Sequence, residues 1–294
     1  LILKKDFKYY LTVFLKGMAM GAADAVPGVS GGTIALLLGI YEELVTTIGN
    51  INLSLFKELK KNGFYSFWEK LNGNFLLSLI IGIGISLVTF IKLTAYLFDK
   101  YPILIWSFFL GLILATIYVI FKLIKSWNYV NILFILIAIF ISFYLGEMNV
   151  MDSININLMY ILISGIIAAS AMIIPGISGA LILVILGLYS TMINAINNLE
   201  IDKIVIFSLG AIIGLLSFSK ILKWMFNKNL SLTYSILLGF VIGSIPKVWP
   251  WKSQLGENIL PSFSISENYL LYSIIIIFFG FYFIYSIQEN QKNK

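Results

Sequence analysis

The sequence predicts an all-α polytopic membrane protein built from two inverted-topology repeats, each a broken or re-entrant helical hairpin plus three transmembrane helices, in a single integral domain over residues 1–294. Three observations predict it. Sixty percent of the residues are apolar, 12% are charged and the mean hydropathy is +0.95, far outside the soluble range. The segment PGVSGGT at Pro27–Thr33 interrupts one long apolar run, and PGISGAL at Pro175–Leu181 interrupts another 148 residues later. At that offset Gly17, Ala23, Pro27, Gly28, Ser30, Gly31, Leu38, Gly39 and Tyr41 recur as Gly165, Ala171, Pro175, Gly176, Ser178, Gly179, Leu186, Gly187 and Tyr189.

The first repeat, residues 9–146, opens with a hairpin whose arms are 9–26 and 29–48. Lys4, Lys5 and Lys8 precede the apolar stretch, and Ala23-Asp24-Ala25 imitates a signal-peptidase site. The internal copy argues against cleavage, because no signal peptidase would reach it, and the segment reads as mature structure. Next, residues 52–74 mix Leu53, Phe56, Leu59, Phe64, Phe67, Trp68 and Leu71 with Lys57, Lys60, Lys61 and Lys70, which predicts an amphipathic helix lying in the membrane interface. This is an insertion of 20 residues. Beyond it the repeats align at an offset of 128, with Gly82, Lys92, Phe98, Lys100, Ser107, Leu110 and Gly111 matching Gly210, Lys220, Phe226, Lys228, Ser235, Leu238 and Gly239. Helices are expected at 75–98, 102–124 and 129–146. The second repeat, residues 158–287, has arms 158–174 and 177–196 and helices 203–225, 231–247 and 268–287.

Whether each hairpin is re-entrant or crosses fully, the number of spans per half is odd, which inverts one half relative to the other as in alternating-access carriers. Lysine placement agrees. With the N-terminus inside, Lys4, Lys5, Lys8, Lys57, Lys60, Lys61, Lys70, Lys122, Lys125, Lys223, Lys228, Lys292 and Lys294 fall on the inner face, against Lys100, Lys203, Lys247 and Lys252 outside. This positive-inside bias puts both termini in the cytoplasm.

Unwound backbone at membrane depth survives only where it lines a protein cavity, and paired Gly/Pro breaks in two halves point to a carrier's binding site. Proline pre-sets a helix's first turn, so Pro27-Gly28 and Pro175-Gly176 should begin half-helices with N–H groups free for an anion. Ser30, Thr33 and Ser178 add hydroxyl donors beside Gly31, Gly32 and Gly179. Alternatively, the glycines serve close helix packing. No GxxxxGK[ST] occurs, so this is not a nucleotide P-loop.

Charged residues at membrane depth sharpen the picture. An intramembrane acid costs about 2.5–3.5 kcal/mol on insertion scales, which marks Asp24 as functional unless it caps the following half-helix. Its repeat counterpart is Met172. Lys92 and Lys220 each lie eight residues before an end-marking lysine, about 12 Å along the helix, which is long for snorkelling alone. They read either as anion partners serving opposite leaflets or as snorkelling side chains. Lys16 is less distinctive. Glu43 reads as a solvated charge, and Glu42 stands between that reading and a place in the site.

The stretch Gly17–Leu44, GMAMGAADAVPGVSGGTIALLLGIYEEL, with its echo IIPGISGALILVILGLY at Ile173–Tyr189, resembles the PopT family of bacterial polyprenyl-phosphate translocases, over essentially the whole chain. The resemblance implies a non-enzymatic flippase of the cytoplasmic membrane that returns undecaprenyl phosphate from the outer to the inner leaflet for reuse in envelope synthesis. The expected partners are undecaprenyl phosphate and membrane lipid, without nucleic acid. At the motif positions stand Asp24, Pro27, Gly28, Ser30, Gly31, Gly32, Thr33 and Glu42. The second copy has Ala180 and Leu181 where the first has Gly32 and Thr33, so equal roles for the hairpins do not follow.

A phosphate monoester carries about −1.5 to −2 charges, and moving two inward against roughly 150 mV costs about 7 kcal/mol. A proton or sodium ion held at Asp24 would offset that cost; no other cofactor is expected. Two rivals belong to other classes: an anion channel or exchanger with opposed half-helices, and a membrane polyprenyl-pyrophosphate phosphatase. The latter needs a cation fork and a proton shuttle, and this chain has neither Arg nor His. The absence of Cys and His also rules out disulfides, thiolate chemistry and imidazole catalysis.

Overall fold

A computed structural model describes residues 6–24, 30–148, 156–253, 257–261 and 269–292, and within these the Lys92 side chain is outside the description. Pro27 and Gly28 lie outside the described residues as well. The described chain is helical almost throughout: α1 (Phe7–Asp24), α2 (Gly31–Leu37), α3 (Tyr41–Gly49), α4 (Leu53–Lys70), α5 (Gly73–Lys100), α6 (Pro102–Leu123), α7 (Tyr129–Glu147), α8 (Leu158–Ile173), α9 (Gly179–Ile185), α10 (Tyr189–Asn197), α11 (Ile201–Lys228), α12 (Leu230–Gly243) and α13 (Tyr269–Lys292).

Local chemistry explains the boundaries. Asn52, Asn128, Asn157 and Asn229 are N-caps whose side chains accept from the N–H three residues on, at 2.8–3.1 Å, satisfying donors that a helix start leaves unpaired. Pro102 opens α6, where its missing N–H costs nothing. Pro246 ends the helix expected over 231–247 early: α12 stops at Gly243 and a 3₁₀ turn covers Ile245–Val248. The expected amphipathic helix is α4, broken at Gly63, whose φ of 79° and ψ of 177° are non-helical.

α5, α6, α7, α11, α13 and α12 taken together with its 3₁₀ turn (Leu230–Val248) are long and apolar enough to cross a bilayer, so the protein is a multi-pass membrane protein. The arms expected at 29–48 and 177–196 are not straight helices. α2 and α3 meet at 118°, and α9 and α10 at 105°. The cause is a residue type legible in the sequence: Gly39 (φ 70°) and Gly187 (φ 65°) adopt left-handed backbone that stops a right-handed helix. Seven residues of α2 extend about 10 Å, a third of the roughly 30 Å hydrocarbon core.

Four helix pairs make the body. α1 lies along α5 and α8 along α11, while α6 lies along α13 and α7 along α12. In the last two pairs each partner comes from a different half of the chain. Gly111 on α6 lies against the Ile277 backbone of α13, and its counterpart Gly239 on α12 lies against the Ile135 backbone of α7, so neither crossing has room for a Cβ. The core between these pairs includes Leu37, Val45, Phe75, Ile120, Leu237 and Val241, all fully buried.

Candidate functional site

The two broken hairpins meet tip to tip. Ser30 donates from its hydroxyl to the Met172 carbonyl oxygen at 3.4 Å, the Gly176 N–H donates to Thr33 Oγ1 at 2.9 Å, and Tyr41 donates to the Ile173 carbonyl oxygen at 3.1 Å. All three bonds join segments more than 130 residues apart. Gly32 permits this approach, because a Cβ there would lie 2.7 Å from the Ile173 carbonyl oxygen. Gly176 supplies the turn after Pro175 with φ 87°, closed against the Phe240 backbone.

The half-helix α2 is enclosed by charges from α1. Asp24 Oδ1 accepts from the Gly31 N–H at 2.6 Å, and Ser30 Oγ accepts from the Gly32 N–H at 3.2 Å. At the other end Lys16 Nζ donates to the Leu38 carbonyl oxygen at 2.6 Å, and Gln288 of α13 donates to the Leu37 carbonyl oxygen at 2.9 Å. A carboxylate at the N-terminus and an ammonium at the C-terminus both complement the helix dipole. Asp24 and Lys16 are eight residues apart on α1, about 12 Å, a reach that spans the antiparallel seven-residue helix. The expectation that the α2 N–H groups stand free is therefore corrected: Asp24 and Ser30 occupy them.

The second hairpin is built without charge. Ser178 is the N-cap of α9 but makes no side-chain capping bond, and Tyr160 donates to the Leu186 carbonyl oxygen at 2.8 Å where Lys16 serves Leu38 in the first hairpin. Gly179 packs against the Ala168 carbonyl oxygen of α8. Glu42 and Glu43 open α3 with no acidic counterparts in α10. Glu42 accepts from the Tyr234 hydroxyl of α12. Glu43 accepts from Tyr9 at 2.6 Å and Asn72 at 2.9 Å, which corrects its reading as a merely solvated charge.

The structure thus brings together Asp24, Ser30, Gly31, Gly32, Thr33 and Gly176, with Pro175 and Ser178 flanking Gly176 in the chain and Glu42 one bend away. It does not bring Lys220 to them, since that side chain is exposed on α11. Sequence reasoning passed over Tyr41, although its recurrence as Tyr189 was a visible signal, and it gave Lys16 too little weight because capping of a carbonyl 22 residues away has no sequence signature.

The family model described as VCA0040-like, undecaprenyl phosphate translocase-like, matches residues 20–262, which include the interruptions of both hairpins. The chain belongs to this translocase-like family. Its curated relatives include a polyprenyl-phosphate transporter of Vibrio cholerae serotype O1, 42% identical over 252 residues that cover 85% of this chain and 81% of the relative. A polyprenyl-phosphate transporter of Staphylococcus aureus is 30% identical over 255 residues, 80% of this chain and 85% of that one. No solved structure matches the chain.

Proposed function

We propose that the protein is a polyprenyl-phosphate transporter that carries undecaprenyl phosphate from the outer to the inner leaflet of the bacterial cytoplasmic membrane, by cation-coupled alternating access of two inverted repeats with both termini cytoplasmic. The observation that carries this reading is the tip-to-tip contact of the hairpins, which gathers Ser30, Thr33 and the Gly176 N–H at one point. Separating the tips frees these donors for a phosphate, while the polyprenyl chain stays among lipid and helix surfaces. Pro27, Gly28 and Lys92 remain candidate contributors on sequence grounds.

Asp24 gives the coupling a physical form. Its carboxylate sits on the Gly31 N–H, the place where a phosphate would be received, and a like charge there opposes the incoming headgroup. Binding a proton or sodium ion neutralises it, removes that repulsion and lets headgroup and cation travel together. The movement of two negative charges against the membrane potential, about 7 kcal/mol at roughly 150 mV, is offset by the cations moved with them.

The test is headgroup flipping in proteoliposomes under defined pH, sodium and voltage gradients. Flipping should accelerate when one of the cation gradients points inward. Flux of small inorganic anions in the same vesicles, with no dependence on polyprenyl phosphate, would instead mark an anion channel.

A further inference from the structure

Beside the first hairpin lies a cavity of about 300 Å³ between α1, α2, α5, α6 and α13. That volume is at the lower end for a ligand pocket. Its lining is almost wholly apolar, and space is left because α1 presents Ala19, Ala22 and Ala23 toward it. Two of its other lining residues, Leu93 on α5 and Phe283 on α13, are 46% and 49% exposed, so the cavity opens sideways between these helices toward lipid. On the inner side it reaches Ile34, one turn after Ser30 and Gly31 on the same helix.

We infer that this cavity binds the phosphate-proximal isoprene units of the transported lipid, admitted laterally between α5 and α13. The inference rests on the transport reading above and adds to it the place of the tail. A headgroup held at the hairpin tips puts its first isoprene units one helical turn away, at Ile34. The remainder of a long chain leaves through the lateral opening, which removes any need to accommodate its full length. The wall is rich in phenylalanine, and such rings give an apolar chain large contact area with few rotatable bonds of their own. A phospholipid acyl chain is the competing occupant, which the competition arm of the experiment distinguishes.

The experiment uses farnesyl phosphate bearing a diazirine on its first isoprene unit, photolysed with the full chain in detergent micelles and mapped by peptide mass spectrometry. Label is expected on α1 within 19–23 and on α5 within 90–98, displaced by undecaprenyl phosphate and spared by an equal excess of phosphatidylglycerol. Ala22→Phe, which fills the cavity, should cut that labelling about tenfold or more, the scale on which an apolar pocket rejects misfitting groups. Leu93→Trp narrows the mouth at a lipid-exposed position and should do the same if Ala22→Phe does not fold. Equal displacement by phosphatidylglycerol, unchanged labelling in a folded variant, or competed labelling confined to helices that do not line the cavity would overturn the cavity's assignment alone. Labelling that undecaprenyl phosphate fails to compete anywhere would count against the transport reading itself.

Discussion

Gly32 and Asp24 show how little slack the hairpin contact has. A Cβ on Gly32 would sit 2.7 Å from one carbonyl oxygen and 3.2 Å from the next, both on the opposing hairpin. Gly32→Ala should therefore push the tips apart and cost about 1–3 kcal/mol, as overpacking does, read as a fall in Tm. Gly84, in the interior of α5 with no atom within 4 Å of its would-be Cβ, is the control. Gly84→Ala should be neutral or stabilise by up to about 1 kcal/mol. Matching Tm values for the two variants would refute a close tip contact. Asp24→Asn keeps an oxygen for the Gly31 N–H, and Asn caps as well as Asp, so the fold should persist. If Asp24 carries the cation, this variant should bind undecaprenyl phosphate yet lose transport that responds to an ion gradient. Ser30→Ala should weaken binding itself. A normal gradient response in Asp24→Asn would leave Asp24 as a helix cap only.

Among the elements, α4 differs from the rest in presenting Leu53, Phe56, Phe64 and Tyr65 to the surroundings beside its lysines. Its break at Gly63 is bridged by Glu58, which accepts from Asn62 at 2.5 Å and Ser66 at 2.7 Å and pairs with Lys70 at 2.8 Å. These partners, Asn62 first, then Lys70 and Ser66, hold the Glu58 carboxyl down at about 2, below its ordinary value of 4.5. A lowered folded-state value means that the bridge is fully present above pH 4.5 and is lost as pH falls through about 2. The environment of Trp68, stacked on Phe64 at 5.6 Å, reports on the bend. Its fluorescence should hold steady from pH 7 to pH 4 and change only nearer 2, whereas a midpoint near 4.5 would show Glu58 unpaired. In Glu58→Gln that low-pH change should disappear.

At the scale of the molecule, the exchange of partners between halves, α6 with α13 and α7 with α12, ties the two halves into one body. The first hairpin adds a further tie between the halves, because α3 packs against α11. The inverted arrangement has a direct check. Ser126 lies between α6 and α7 and Asn198 between α10 and α11, and both are exposed. With cytoplasmic termini, a membrane-impermeant thiol reagent added to intact cells should modify Asn198→Cys and spare Ser126→Cys. The reverse pattern would overturn the orientation.

Much of this protein was written in its residue order. Long apolar runs dictate helices in hydrocarbon because nothing else satisfies the backbone there, so the spans and the two interruptions were readable before any coordinates. The internal identities also named the glycines at the helix crossings and the Gly39 and Gly187 bends, though not what each one does. What the sequence does not determine is which distant groups meet. That Asp24 and Lys16 enclose α2, that Thr33 receives the Gly176 N–H, and that three alanines of α1 leave a cavity open to lipid each depend on contacts between segments far apart in the chain. Local periodicity carries information about one helix face at a time; the register of one helix against another is set by packing of the whole, and only the tertiary structure decides it.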